Sequence, residues 1–258
     1  MLKAKLESYL AAVSGTVCLS FHDLKTGEQF DLQGDRSVHS ASTIKLVVMA
    51  ELMARVAAGS LSLDQKITIT PDMKTGGDGI LKELEPGHSF SLQEIMTLMI
   101  IVSDNQATNI LIDLLGMDAI NDRAKAMGLA NTVLGRKMMD SEARKQGRDN
   151  YISANDMASI LHAIYAGSLI NADASKIMLE TLLRQQQSGR LQLYLPEEVP
   201  VAHKCGDLDY LENDGGIVYA DDHPYILVVL TSSMSSNKEG REVIGHLSKL
   251  IYDHMMSL

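Results

Sequence analysis

Ser42 and Lys45 stand three residues apart in Ser42-Thr43-Ile44-Lys45, within a stretch whose pattern predicts a helix. Residues at that spacing are neighbours on a helix, so the lysine amine is expected to lie against the serine oxygen. A serine hydroxyl is a weak nucleophile at neutral pH and needs an adjacent base to accept its proton. Leu46, Val47, Val48, Met49, Leu52 and Met53 follow at once, which predicts burial, and burial favours the neutral amine that can act as that base. Alone, the pair is weak support for such chemistry. Ser-x-x-Lys arises by chance about once in a chain of this length, and a helix-capping serine followed by an ordinary lysine is its commoner explanation.

Two more polar groups stand where elements meet. Ser103-Asp104-Asn105 separates the apolar run Ile95–Val102 from a second one through Ile110, Leu111, Ile112, Leu114 and Leu115. Three small polar residues between buried helices either cap backbone groups or face a cleft. Lys204-Cys205-Gly206 ends the short apolar run Pro200-Val201-Ala202, where a strand end and a turn would be the ordinary reading.

The elements that must position these groups are readable from periodicity. Met1 to Glu7 reads as an amphipathic helix, and Val17, Leu19 and Phe21 alternate with polar neighbours as a half-buried strand does. Lys25-Thr26-Gly27 offers a turn into a second strand near Glu28–Leu32. From Ser42 to about Leu195 the pattern is helical, with capping-box-like starts at Ser91 and Ser153 and stops at Gly59, Gly116, Gly128 and Gly167. Strand signals return at Val201–Cys205, Gly216–Tyr219 and Tyr225–Leu230, and a helix over about Lys238–Met255 ends the pattern. The expected fold is α+β: one five-stranded antiparallel sheet flanked by the terminal helices, with an inserted all-α lobe. One domain, residues 1–258, would comprise a sheet lobe (1–41 and 196–258) and a helical lobe (42–195), with a small-ligand cleft between them.

Taken in order, Ser42-x-x-Lys45, Ser103-Asp104-Asn105 and Lys204-Cys205-Gly206 resemble the motif set of the penicillin-recognising serine enzymes, above all the class A β-lactamases. Gly77-Asp78-Gly79-Ile80-Leu81 resembles that family's Gly-Ser-Gly-Ile-Leu segment. Asn105-Gln106-Ala107-Thr108-Asn109-Ile110-Leu111 resembles the helix after its Ser-Asp-Asn. Met127-Gly128-Leu129 with Thr132, Leu134 and Arg136 resembles the approach to its Ω-loop. The likeness runs from about residue 5 to 256.

The resemblance implies a serine hydrolase that opens β-lactams through an acyl-enzyme, and it implies roles. Ser42 would be the nucleophile, with Lys45 hydrogen-bonded to it and activating it. Ser103 would relay a proton to the leaving nitrogen. Asn105 would bond the substrate's side-chain amide and Lys45. Lys204 would hold Ser103 and draw the substrate carboxylate. The backbone N–H groups of Ser42 and of Asp207, after Gly206, would form the oxyanion hole. Three departures stand out. The family's Glu-x-x-Leu-Asn run is absent from the Ω-loop, leaving Glu142, then Asp140, as candidates to activate the hydrolytic water, or merely as solvated loop acids balancing Arg144 and Lys145. Cys205 replaces the hydroxyl that binds the substrate carboxylate, with Lys204 beside it to lower its thiol pKa, or is simply a small residue tolerated in a strand. Asn213-Asp214-Gly215-Gly216 lacks an arginine, for which Arg241 is the alternative, bidentate recognition being what arginine does best, unless it is an ordinary surface-helix arginine. An esterase or D-Ala-D-Ala-type peptidase on the same scaffold, or a slow-deacylating β-lactam-binding protein, are the rival readings.

Composition bounds the rest. The chain has 258 residues, 45% of them hydrophobic, and a net charge of −10, enough for a large core and unsuited to nucleic acid or anionic membranes. No 18-residue apolar run predicts membrane insertion. The expected partner is a small-molecule β-lactam or related ester or amide, acting on a monomer. The N-terminus has no secretory h-region, so the expected location is cytoplasmic, or secreted or periplasmic if this is a mature form. Eight scattered histidines show no metal-ligand spacing, so neither metal nor cofactor is expected. His203 should point away from Lys204 on the opposite strand face. Cys18 and Cys205 read as reduced thiols.

Overall fold

A computed structural model describes residues 2–258. Five strands form one antiparallel sheet: β1 (Thr16–Asp23), β2 (Gln29–Leu32), β3 (Val201–Leu208), β4 (Leu211–Val218) and β5 (Tyr225–Ser232). Their spatial order is β2-β1-β5-β4-β3, which leaves β3 at an edge. The helices are α1 (Leu2–Leu10), α2 (Lys45–Ala57), α3 (Leu92–Ile101), α4 (Asn105–Leu115), α5 (Met117–Ala126), α6 (Ser141–Lys145), α7 (Ala154–Tyr165), α8 (Ala172–Leu182) and α9 (Asn237–Met255). The α+β architecture expected from the sequence is the one observed.

Both faces of the sheet are covered. Val17, Leu19, Phe21, Leu227 and Val229 pack with Leu6 of α1 and Val243, Leu247 and Ile251 of α9. Cys18, Ala202, Ile217, Ile226 and Val228 face α2, α7 and α8 in a second apolar cluster. That corrects the half-buried strand expected at Val17–Phe21: its polar neighbour Ser20 is buried as well, because α7 lies over the face assigned to solvent. The helix α2 is buried on all sides from Lys45 to Met53, as an apolar helix at the centre of a domain must be.

The segment between β2 and β3 is mainly helical but also holds two small ribbons. Lys66–Thr68 pairs with Ser89–Ser91, and Val38–His39 pairs with Tyr151–Ile152. The helix starts follow the capping chemistry. Ser91 accepts from the Glu94 N–H while Glu94 reaches back to the Ser91 N–H, a complete capping box. Ser153 caps α7, but Asp156 does not return the bond; its carboxylate takes Asn131 N and Thr132 Oγ1 instead.

Candidate active site

Ser42 lies in a 3₁₀ turn, Ala41–Ile44, immediately before α2, and not within the helix itself. Ala41 enters the turn in the left-handed region, φ +47°, an unusual conformation for a residue with a Cβ. The turn is tied down from outside: Asn213 Nδ2 donates to the carbonyls of His39 (2.9 Å) and Ser40 (3.2 Å), and Ser40 N donates to Asn150 O (2.9 Å). Gly206 on edge strand β3 passes against it. A Cβ on Gly206 would stand 2.4 Å from Ser42 N and 3.0 Å from Ser42 Cα, so only glycine permits this approach.

Ser103-Asp104-Asn105 divides its labour. Asp104 is the helix cap, accepting Ala107 N at 2.8 Å, and its other oxygen takes the N–H groups of Ile80 (2.6 Å) and Leu81 (2.8 Å). The flanking residues are thereby free for the cleft. Ser103 takes φ +56° and presents both its carbonyl and its hydroxyl to Lys45.

Lys45 Nζ bonds Ser103 O (2.7 Å), Ser103 Oγ (3.1 Å) and Asn105 Oδ1 (2.9 Å). Lys204 Nζ reaches the same Ser103 Oγ at 3.1 Å and Cys205 O at 2.6 Å. Both lysines have no solvent exposure. Burial drives the Lys45 amine well below the ordinary lysine range, with the neighbouring Lys204 charge adding to the effect; Lys204 is lowered chiefly by burial too. Two amines sharing one oxygen in a dry site cannot both stay charged cheaply. The expected contact between Lys45 and Ser42 Oγ is not among the hydrogen bonds of the described residues. The amine is turned toward Ser103 and Asn105, which offer it three acceptors.

Ser42 opens onto a cleft of ≈ 210 Å³ shared with Asp78, Asn105, Met139, Asp149 and Asp207. Glu142 is not there. It sits on the exposed first turn of α6, ion-paired with Lys145 at 2.7 Å. Asp140 caps the same helix through Ala143 N. The loop wall facing Ser42 carries Met138 and Met139 instead, with Met139 exposed at φ +63°. Asp149 is buried and bound by Arg136 (2.7 Å), with His39 and Arg144 at 3.4 and 3.5 Å.

Two other expectations are corrected. Cys205 is buried with its thiol toward Gln187 Oε1 at 3.1 Å, and burial pushes that thiol's pKa up, outweighing Lys204. Arg241 lies 3.6 Å from Glu212 and does not line the serine cleft. Asp207 is not a bare charge, because the buried Arg190 holds it at 2.6 Å and also pairs with Glu212. His203 turns from Lys204 and meets Asp214 at 2.9 Å. Sequence reasoning passed over Arg190, Asp149 and Asp78 as site residues. The aspartate in Gly77-Asp78-Gly79, standing where a serine is usual, was the one signal available. Among the described residues no group of His, Cys, Asp and Glu is arranged to hold a metal ion, and no helix is long and apolar enough to cross a membrane.

The chain is similar to known proteins over nearly all of its length. It is 27% identical over 205 residues to the beta-lactamase AER-1 of Aeromonas hydrophila, covering 78% of this chain and 67% of that protein. The structure superimposes on that of a beta-lactamase from Sphaerobacter thermophilus with a TM-score of 0.90 and 29% identity, covering 100% of this chain and 97% of the other. It matches the structure of PBP-A with a TM-score of 0.91 and 26% identity, over 100% and 96% of the two chains. The sequence model of the beta-lactamase enzyme family matches residues 1–255. That span takes in the serine turn, the lysine pair and the edge strand together, and the chain belongs to the beta-lactamase enzyme family.

Proposed function

We propose that this protein opens β-lactam rings through an acyl-enzyme on Ser42, with loss of the acyl group as the slow step. The site lies where the helical segment 42–195 meets the sheet segments 1–41 and 196–258 of one domain. The observation that carries the reading is Ser103 Oγ, held at 3.1 Å by both Lys45 and Lys204. A neutral Lys45 has a lone pair to accept a proton, and its lowered pKa favours that form at neutral pH.

In acylation, Ser42 Oγ attacks the lactam carbonyl and its proton passes to Lys45. The carbonyl oxygen becomes an anion facing the N–H groups of Ser42 and Asp207. Gly206 keeps the strand close enough for both donors to serve, a type of arrangement whose removal costs about 3 kcal/mol per donor. As the carbon–nitrogen bond breaks, Ser103 Oγ gives its proton to the nitrogen and is reprotonated from the lysine pair. Lys204 supplies positive potential to the substrate carboxylate, and Asn105 Nδ2 meets the side-chain amide. Arg190 offsets the charge of Asp207 beside the second oxyanion donor.

Deacylation needs water added to the ester and a base to take its proton. Glu142 is 72% exposed and paired to Lys145, and Asp149 is occupied by arginines, which supports slow acyl loss. The test is intact-protein mass against time after mixing with benzylpenicillin, with drug loss followed in parallel. One adduct per chain that forms faster than it decays, absent in Ser42→Ala, is expected. No adduct and no drug loss overturns the reading.

A further inference from the structure

Asp78 sits at the mouth of the serine cleft on a loop that gives its side chain no internal task. Its neighbours Gly77 (φ +77°) and Gly79 (φ +120°) are held where a Cβ would meet Asn105 Nδ2 at 2.4 Å and Asp104 Cγ at 2.3 Å. Lys82 Nζ binds Gly77 O at 2.5 Å, and Asp78's own carbonyl takes Asn105 N at 2.9 Å. The loop is therefore pinned to the two residues that open α4. The carboxylate itself is exposed, and among the described residues it has neither an ion-pair nor a hydrogen-bond partner.

The other cleft carboxylates differ. Asp207 is matched by Arg190 and Asp149 by Arg136. The cleft is thus polarised, with the buried lysine pair at its floor and one unmatched negative charge beside Asn105. Asp78 lies within electrostatic reach of both amines and opposes the lowering of their pKa values. In the reading proposed above, Asn105 receives the side-chain amide, so the acyl side chain beyond that amide emerges past Asp78 and Met139.

We propose that Asp78 determines specificity by receiving an ammonium group on the acyl side chain, so that the site favours acyl donors with a carboxylate at one end and an ammonium at the other. The inference rests on the acyl-enzyme reading and deepens it. An α-amino group places its charge one bond from the carbon that follows the amide carbonyl, on the Asp78 side. An additional carboxylate at the same carbon meets repulsion there.

The test uses three penicillins that differ at that carbon: benzylpenicillin, ampicillin with an α-ammonium, and carbenicillin with an α-carboxylate. Second-order acylation constants are measured at pH 6 and low ionic strength for the wild type, Asp78→Asn and Asp78→Glu. Dividing each wild-type constant by that of Asp78→Asn removes intrinsic drug reactivity and any common effect on the lysines. That quotient is expected to be about fivefold higher for ampicillin than for benzylpenicillin, and lower for carbenicillin by a similar factor, the scale of one exposed charge pair. Salt should compress both differences, and Asp78→Glu should restore the order. Equal quotients for the three drugs overturn the proposal for Asp78 while leaving the acyl-enzyme intact. Absence of any adduct with all three overturns the reading beneath it.

Discussion

On one side of the cleft, Lys45, Lys204 and Ser103 are shut away from water and share a hydrogen-bond node. On the other, the 136–150 segment leaves Glu142 in solvent and turns Met138 and Met139 toward the serine. The first wall stands on α2, α4 and a sheet strand, elements fixed by burial on several sides. The second hangs from a few bonds at its ends: Arg136 to Asp149, Asn150 Oδ1 to the N–H groups of Gly135 and Arg136, and Asn109 to both backbone groups of Met138. In the reading proposed above, the half of the reaction that makes the acyl-enzyme rests on the buried wall, while the half that removes it falls to a tethered loop without a placed acid. Acylation and deacylation are then expected to be separable in this scaffold.

The sharpest way to break that contrast is Lys45→Met, which keeps side-chain bulk and removes the amine. Three acceptors then lose their partner, and the acylation constant should fall by about a thousandfold; a loss below tenfold would mean that the buried node is not the proton acceptor. The same amine fixes the pH profile. It acts when unprotonated, so acylation is lost as pH falls through its lowered pKa and is retained above it. A rate that rises as pH falls through the acid range in stopped-flow acylation would exclude Lys45 as the base. Next in size is Gly206→Ala. The new methyl would stand 2.4 Å from a backbone atom of the Ser42 turn, so strand and turn must part. A misplacement of this kind costs about a hundredfold in rate, read as a fall in acylation with the thermal midpoint changed far less than activity.

On the opposite wall the effect should be on stability. Asp149 is 6% exposed and its partner Arg136 10%, so Asp149→Asn leaves a largely buried guanidinium without its counter-charge. A cost of about 2–3 kcal/mol is expected in urea unfolding, with faster proteolysis between residues 137 and 148. Acylation of Ser42 should change far less than after the lysine substitution.

What was legible in the sequence divides along the same line. The strand Tyr225–Ser232 announced itself through its Ile, Leu and Val run and Thr16–Asp23 through alternation, and the three motifs through their order along the chain, since each alone had an ordinary capping or turn reading. Ser42 was misassigned to a helix because its turn is shaped by the left-handed φ of Ala41 and by bonds from Asn213, a residue far along the chain. The direction of the Cys205 thiol depends on which face of β3 meets Gln187, and the company of Asp207 depends on Arg190, a residue with no motif around it. Glu142 could be proposed from its place in the Ω-loop-like stretch, but where that loop leaves it is decided by bonds from Asn109 and Asn150. The elements were readable from pattern; the directions of Cys205 and Arg241 and of the side chains on the tethered segment were not, because partners distant in the chain set them.

Glu142→Gln probes the weaker wall most directly, and the smallest effect is expected from it. The substitution removes a charge whose one ion-pair partner among the described residues is Lys145, three residues along an exposed turn. Such a pair contributes a few tenths of a kcal/mol at most, so stability should hold. Were Glu142 the base for the hydrolytic water, the acyl-enzyme would persist far longer in the variant than in the wild type. With the carboxylate outside the cleft, the decay of the penicilloyl adduct followed by mass should match the wild type within a factor of about two, far below the hundredfold loss that removing a positioned base produces. A long-lived adduct found only in the variant would mean that the loop swings Glu142 inward after acylation. The tethers at Arg136 and Asn109 would then act as hinges for the second half of the reaction.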